Sequence, residues 1–185
     1  MKREEIYRLS LAAMLLAVGY VLPLFTGQIR EIGNMLLPMH IPVMLTGLLC
    51  GARYGFAVGL IMPVTRSLIF GMPAMFPSAV GMSAELATYG LVIGLLYASS
   101  RHKCIFALYR SLIISMLVGR AVWGLVMAAL LGFSGDGFTL AAFLSGAFLN
   151  ALPGIALQLV LIPAVMLLAR RAHLPHLAKK EKKNK

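Results

Sequence analysis

Charge is scarce in this chain. Only 12% of its 185 residues are Asp, Glu, Lys or Arg, and just six are acidic. Hydrophobic residues make up 60%, and the mean hydropathy is +0.88. A water-soluble domain of this length has too much surface to be built from such a composition, so a soluble fold is excluded. Cysteine is also nearly absent. Cys50 and Cys104 fall near predicted cytoplasmic helix ends, in a reducing compartment and without metal-ligand spacing, which excludes a disulfide framework and a thiolate metal site. There is no G-x-x-x-x-G-K-[ST] phosphate loop, so the chain does not drive itself with ATP. The absence of G-x-S-x-G, H-E-x-x-H and paired-carboxylate patterns argues against an enzyme. No repeat relates the two halves, unlike in many secondary transporters.

What the sequence has instead is a series of apolar runs. One spanning helix takes roughly 20 apolar residues, so the chain holds about six spans and no soluble domain beside them. The runs predict helices at about Leu9–Phe25, Pro38–Cys50, Phe56–Phe70, Ser78–Tyr97, Phe106–Leu131 and Leu140–Leu168. The fold class is all-α, a polytopic six-helix transmembrane bundle over residues 1–172, followed by a basic cytoplasmic tail at 173–185. Lys2 and Arg3 precede the first run as in a signal peptide, but no small-x-small cleavage site follows Phe25, so this helix is read as retained. The second run carries Pro38, Pro42 and His40, and its first turns are expected to be irregular.

The formal net charge of +11 is not spread as a nucleic-acid-binding stripe; it clusters at the two ends and in one loop. In a six-span arrangement, 14 of the 17 Lys and Arg residues fall on one side, and the opposite loops hold only Arg30. The excess of basic residues in cytoplasmic loops puts both termini in the cytoplasm of a bacterial inner-membrane protein. Five spans would leave one basic terminus outside.

Three ionisable residues fall within the predicted spans: Arg66, Glu85 and Arg120. Each costs at least about 2.5–3.5 kcal/mol at a helix centre on insertion scales, so each needs a partner or a wet cavity. Arg66 is placed roughly 6 Å below the outer end of the third span and Glu85 roughly 10 Å below that of the fourth, with Arg120 near the middle of the fifth. The three can therefore converge. A structural ion pair explains one Arg and Glu85, but one acid cannot neutralise two guanidiniums, and the spare positive charge favours an anionic ligand. Glu85 and Tyr89 share a helix face at i, i+4; Arg120, Trp123, Gly124 and Met127 share another. Asn150 is placed a third of the way down the sixth span, ahead of a possible kink at Pro153 and Gly154. The candidate ligand-binding set is thus Arg66, Glu85, Tyr89, Arg120, Trp123 and Asn150. His40 is a ligand contact or, on the favoured reading, only an interfacial residue. No metal, cofactor or nucleic acid is called for.

The first helix also carries a small-residue face, Ser10, Ala13 and Ala17, of the kind that lets helices approach closely in lipid. Packing within the same chain is its bland explanation.

Taken together, Ala13-x-x-x-Ala17, the stretches Leu37–Pro42 and Gly47–Gly55, the run Phe70–Pro77 and the following Glu85–Gly90 resemble the substrate-binding S components of energy-coupling-factor (ECF) vitamin transporters. The later run looks most like a pantothenate-type subgroup. The resemblance covers nearly the whole chain. It implies a non-enzymatic six-helix subunit that captures a vitamin on the outer face. It also implies docking through Ala13 and Ala17, which match the family's docking motif, onto a transmembrane coupling subunit powered by two cytoplasmic ATPases. The ligand residues are read from buried polarity and not from the family. Folate, cobalamin, pyridoxine and a queuosine precursor are the alternative cargoes. A small membrane enzyme or assembly factor centred on Glu85, His40 and Arg120 is the rival class.

Overall fold

A computed structural model describes residues 3–25, 37–100, 104–134 and 151–171. These residues are mostly helical, with no strand among them. Six α-helices follow one another: α1 (Arg3–Phe25), α2 (His40–Leu49), α3 (Ala52–Phe70), α4 (Val80–Ser99), α5 (Ile105–Ser134) and α6 (Leu152–Arg171). One wide helical turn, Met75–Ala79, leads into α4. The loop that carries Arg30, Glu31 and Asn34, the Gly-rich loop with Asp136, and the tail at 173–185 lie outside the described residues.

Local sequence sets the helix ends. Glu4 and Glu5 occupy the first turn of α1, where the helix dipole favours acids. α3 stops at Gly71, which takes a left-handed φ of 69° and bonds its N–H to the Ser67 carbonyl at 2.9 Å. α6 begins at Leu152, so Pro153 sits in its first turn, where a missing N–H removes no helical bond. The part of the expected sixth span before this point, residues 140–150, lies outside the described residues.

Among the described residues, four helical stretches are long and apolar enough to cross a membrane: Arg3–Leu24, Met75–Ser99, Ile105–Leu131 and Leu152–Ala169. α3 has the length, but Arg53 and Arg66 lower its hydropathy. α2 is the short second helix expected at about Pro38–Cys50. It has 10 residues, about 15 Å, half the hydrocarbon thickness. It is apolar on every side, and all but Leu49 of its residues are buried, as such a helix must be. Two cores meet on it. Ile41, Met44, Leu45 and Leu48 join Tyr89, Ile93, Leu112 and Ile162 on one side. Met39, Val43 and Cys50 join Ala12, Val58, Met62 and Leu86 on the other.

Glycine lets α3 and α4 touch backbone to backbone. A Cβ on Gly55 would lie 2.6 Å from the Gly90 carbonyl oxygen, and one on Gly59 would collide with the backbone of Leu86. Residue 55 therefore faces 90 and 59 faces 86, an antiparallel register. α1 runs parallel to α3, since Gly19 packs on Met62 and Arg8 reaches Gly51. α5 is antiparallel to α4: Gly119 abuts the Tyr89 ring and Gly81 abuts Met127. Arg8, Arg53 and Arg110 consequently gather at one end of the bundle, with Arg110 donating to the Ser100 hydroxyl at 3.3 Å. This is called the basic end below.

Candidate functional site

The α3–α4 and α4–α5 registers together place Glu85. It lies one turn from Tyr89 on the inner face of α4, opposite Arg120 of α5, and is 2% exposed. Its Oε1 gathers three groups. Arg120 Nη1 is 3.0 Å away, the Tyr89 hydroxyl donates at 2.8 Å, and His40 Nε2 stands at 3.7 Å. The i, i+4 pairing of Glu85 with Tyr89 is as expected. The Tyr89 ring also leans on His40, with centroids 5.4 Å apart and planes at 54°. Helices α2, α4 and α5 thus each contribute a polar group to one buried point.

The cluster is not internally satisfied. Arg120 Nη2 and both ring nitrogens of His40 are buried without a hydrogen-bond partner among the described residues. Buried hydroxyls in the same bundle behave differently. Ser83, Ser111 and Ser115 each donate to a carbonyl of their own helix, Ala79, Ala107 and Leu112 respectively, at 2.8 Å. They are closed locally, whereas Arg120 keeps an unused arm of its guanidinium. Such an arm, desolvated beside a carboxylate already engaged at one oxygen, is a donor suited to an oxyanion.

Arg66 does not join this cluster, contrary to the expected convergence. In the α3–α4 register Leu60 faces Glu85, so Arg66 lies six residues farther on, roughly 9 Å along the axis. It shares the face of Met62, which packs on Gly19 of α1. There Arg66 Nη1 donates to the Tyr20 carbonyl at 2.9 Å, and its guanidinium lies 5.0 Å from the Phe70 ring centroid. The neighbouring Tyr20 and Thr65 hydroxyls bond to each other. Among the described residues Arg66 has no carboxylate partner. It ties α3 to α1.

Trp123 and Met127 both face Gly81, one turn of α4 farther from the basic end than Glu85. They lie beside the polar cluster on the face that carries Arg120. Asn150 lies outside the described residues. Ala13 and Ala17 are exposed, because α1 turns Ala12, Leu15 and Gly19 inward and leaves the Ser10, Ala13 and Ala17 face unpacked. Among the described residues, this face is not used for packing within the chain.

The sequence reading undervalued one polar group and missed another. His40, favoured as interfacial, is 1% exposed in the cluster itself, because it opens the fully enclosed α2. Gln158 of α6 is also 1% exposed, with its Nε2 unpartnered among the described residues. The signal for Gln158 was present: an amide in the middle of an apolar run, the same criterion that singled out Asn150.

Residues 7–166 match the family described as ECF transporter, substrate-specific component. No curated protein and no solved structure matches the chain.

Proposed function

Given that the chain belongs to the family of ECF transporter substrate-specific components, we propose that its cargo is a small anionic vitamin, with pantothenate as the first candidate. Membership makes it a membrane-embedded transport subunit that binds a small molecule and works with the ECF transmembrane and ATPase subunits. The anionic character of the cargo rests on one observation. Among the described residues Arg120 Nη2 is buried without a hydrogen-bond partner while Nη1 holds Glu85.

In this reading the carboxylate of the cargo sits on Arg120. Glu85 orients that guanidinium, and Tyr89 and Asn150 meet hydroxyl and amide groups. Trp123 forms the apolar wall. Arg66 adds positive potential toward the end opposite the basic one. Pantothenate joins a carboxylate, an amide and two hydroxyls in a small body, which suits this mixture; folate, cobalamin, pyridoxine and a queuosine precursor are the alternatives. Mass spectrometry of the compound retained by the purified chain tests the proposal. Recovery of a neutral or cationic vitamin would reject the anionic reading, and recovery of another acid would reject pantothenate alone.

Docking onto the coupling subunit is assigned to Ala13 and Ala17. Their exposure on α1 supports this role, since small side chains let a partner helix come close in lipid. The gathering of Arg8, Arg53 and Arg110 at one end supports cytoplasmic termini. Cysteines introduced at Asn34 and Gly135 are then expected to react with an impermeant thiol reagent in intact cells, and one at Lys103 to stay unlabelled. Labelling at Lys103 would invert the orientation.

A further inference from the structure

Two polar side chains have no part in the anion contact. Buried amides and imidazoles are nearly always hydrogen-bonded, so an orphan needs an explanation. His40 turns Nε2 toward Glu85 Oε1 at 3.7 Å. A carboxylate on that side favours the proton on Nε2 and leaves Nδ1, buried and unpartnered, as an acceptor. Gln158 sits one turn before Ile162 and two before Met166. Those residues belong to the same buried cluster as Ile41, Tyr89 and Met116. Gln158 therefore shares a helix face with two residues of the core that holds the ring of Tyr89, and among the described residues its buried Nε2 is an unpartnered donor. One acceptor and one donor complement the charged arm of Arg120.

We infer that His40 and Gln158 are ligand contacts that read the uncharged part of the cargo. The cargo is then a small acid that carries both a hydroxyl or amide N–H donor and a hydroxyl or carbonyl acceptor. This rests on the anionic-vitamin reading above and deepens it. A purely structural polar pair would be bonded within the protein, as Ser83, Ser111 and Ser115 are.

The test uses the full chain, purified in detergent, and two probes: pantothenate and its dideoxy analogue, which keeps the acid, the amide and the branched chain. The variants are Gln158→Leu, His40→Gln and His40→Asn; Asn places a polar group near the position of Nδ1, and Gln near that of Nε2. Gln158→Leu and His40→Gln are each expected to weaken pantothenate binding by about 3- to 10-fold, the scale of one neutral hydrogen bond. The dideoxy analogue should lose less with His40→Gln, and His40→Asn should retain most of the affinity. The ligand-free melting temperature should stay level or rise with Gln158→Leu, since an orphan amide is replaced by an apolar group. Unchanged affinity overturns the inference. So does a loss that only tracks a falling ligand-free melting temperature, or His40→Gln outperforming His40→Asn. If wild type ignores pantothenate but retains another vitamin, only the pantothenate reading falls, and the same variants titrated with that compound decide the contacts. A wild-type chain that binds none of the candidate vitamins overturns both.

Discussion

Arg66 and Arg120 are the same side chain in the same setting, buried inside apolar helices at 3% and 6% exposure, yet they are solved differently. Arg66 leaves no nitrogen both fully buried and unbonded among the described residues: its Nη1 donates to a backbone carbonyl of α1, and an aromatic ring lies beneath the guanidinium. Arg120 is held by a carboxylate through one nitrogen and left unbonded at the other. A guanidinium has five donors, so closing one arm does not close the group. The comparison teaches that intramembrane charge alone does not mark a binding site. The marker is the charge whose hydrogen-bonding capacity the fold leaves unused, and here that is Arg120.

The sharpest way to break this contrast is to remove Arg120. Arg120→Met should lose a charge-assisted contact and weaken binding of an acidic vitamin by about 10- to 150-fold in a titration of the purified chain. The variant should also stop distinguishing the acid from its amide analogue, whereas wild type should prefer the acid strongly. Equal wild-type binding of acid and amide would make both arginines structural. Glu85 left buried without its partner would cost about 3–5 kcal/mol of stability. Arg120→Met combined with Glu85→Gln should recover much of that in thermal unfolding while binding remains lost. Failure of the pair to recover would mean that Glu85 is held mainly by Tyr89 and His40.

Removing Arg66 should do something else. Arg66→Met deletes the bond to the Tyr20 carbonyl, worth about 1.5–3 kcal/mol for a charged donor. That loss should show as faster hydrogen exchange in α1. Affinity should fall by less than about three-fold, because groups this far apart without shared partners act nearly independently. A larger effect on affinity than that of Arg120→Met would reverse the assignment of roles.

The smallest effect on the ligand is expected from the opposite face of α1. Replacing Ala13 and Ala17 with Trp leaves both arginines and the inward residues Ala12, Leu15 and Gly19 in place. Vitamin binding by the isolated chain should be unchanged, while co-purification with the coupling subunit is abolished. Loss of both together would mean that the small face supports the fold itself.

Much of this was legible in the residues. The apolar runs produced the helices nearly where expected, because length and hydropathy are local properties of the chain. Glu85 and Tyr89 met because four residues on a helix share a face, and Arg120 was marked by its cost in lipid. Gln158 was equally legible by that cost and was passed over for Asn150. Other features were beyond local reading. Pro38 and Pro42 marked irregular first turns and the run was visibly short, but that all of α2 except Leu49 would be buried depends on what packs around it. His40 follows from that enclosure: a histidine at a helix start reads as interfacial until the helix is known to be buried.

The sequence by itself determined that the chain is helical, that it belongs in a membrane, and that it carries more buried positive than negative charge. These are matters of composition and of spacing within single helices. Only the tertiary structure decided which arginine meets Glu85. That choice depends on the register between α3, α4 and α5, which is set where Gly55 meets Gly90, Gly59 meets Leu86 and Gly119 meets the Tyr89 ring. A shift of one helical turn at such a seam moves a side chain about 5.4 Å along the axis, enough to make or break an ion pair, and no property of one helix alone reports it.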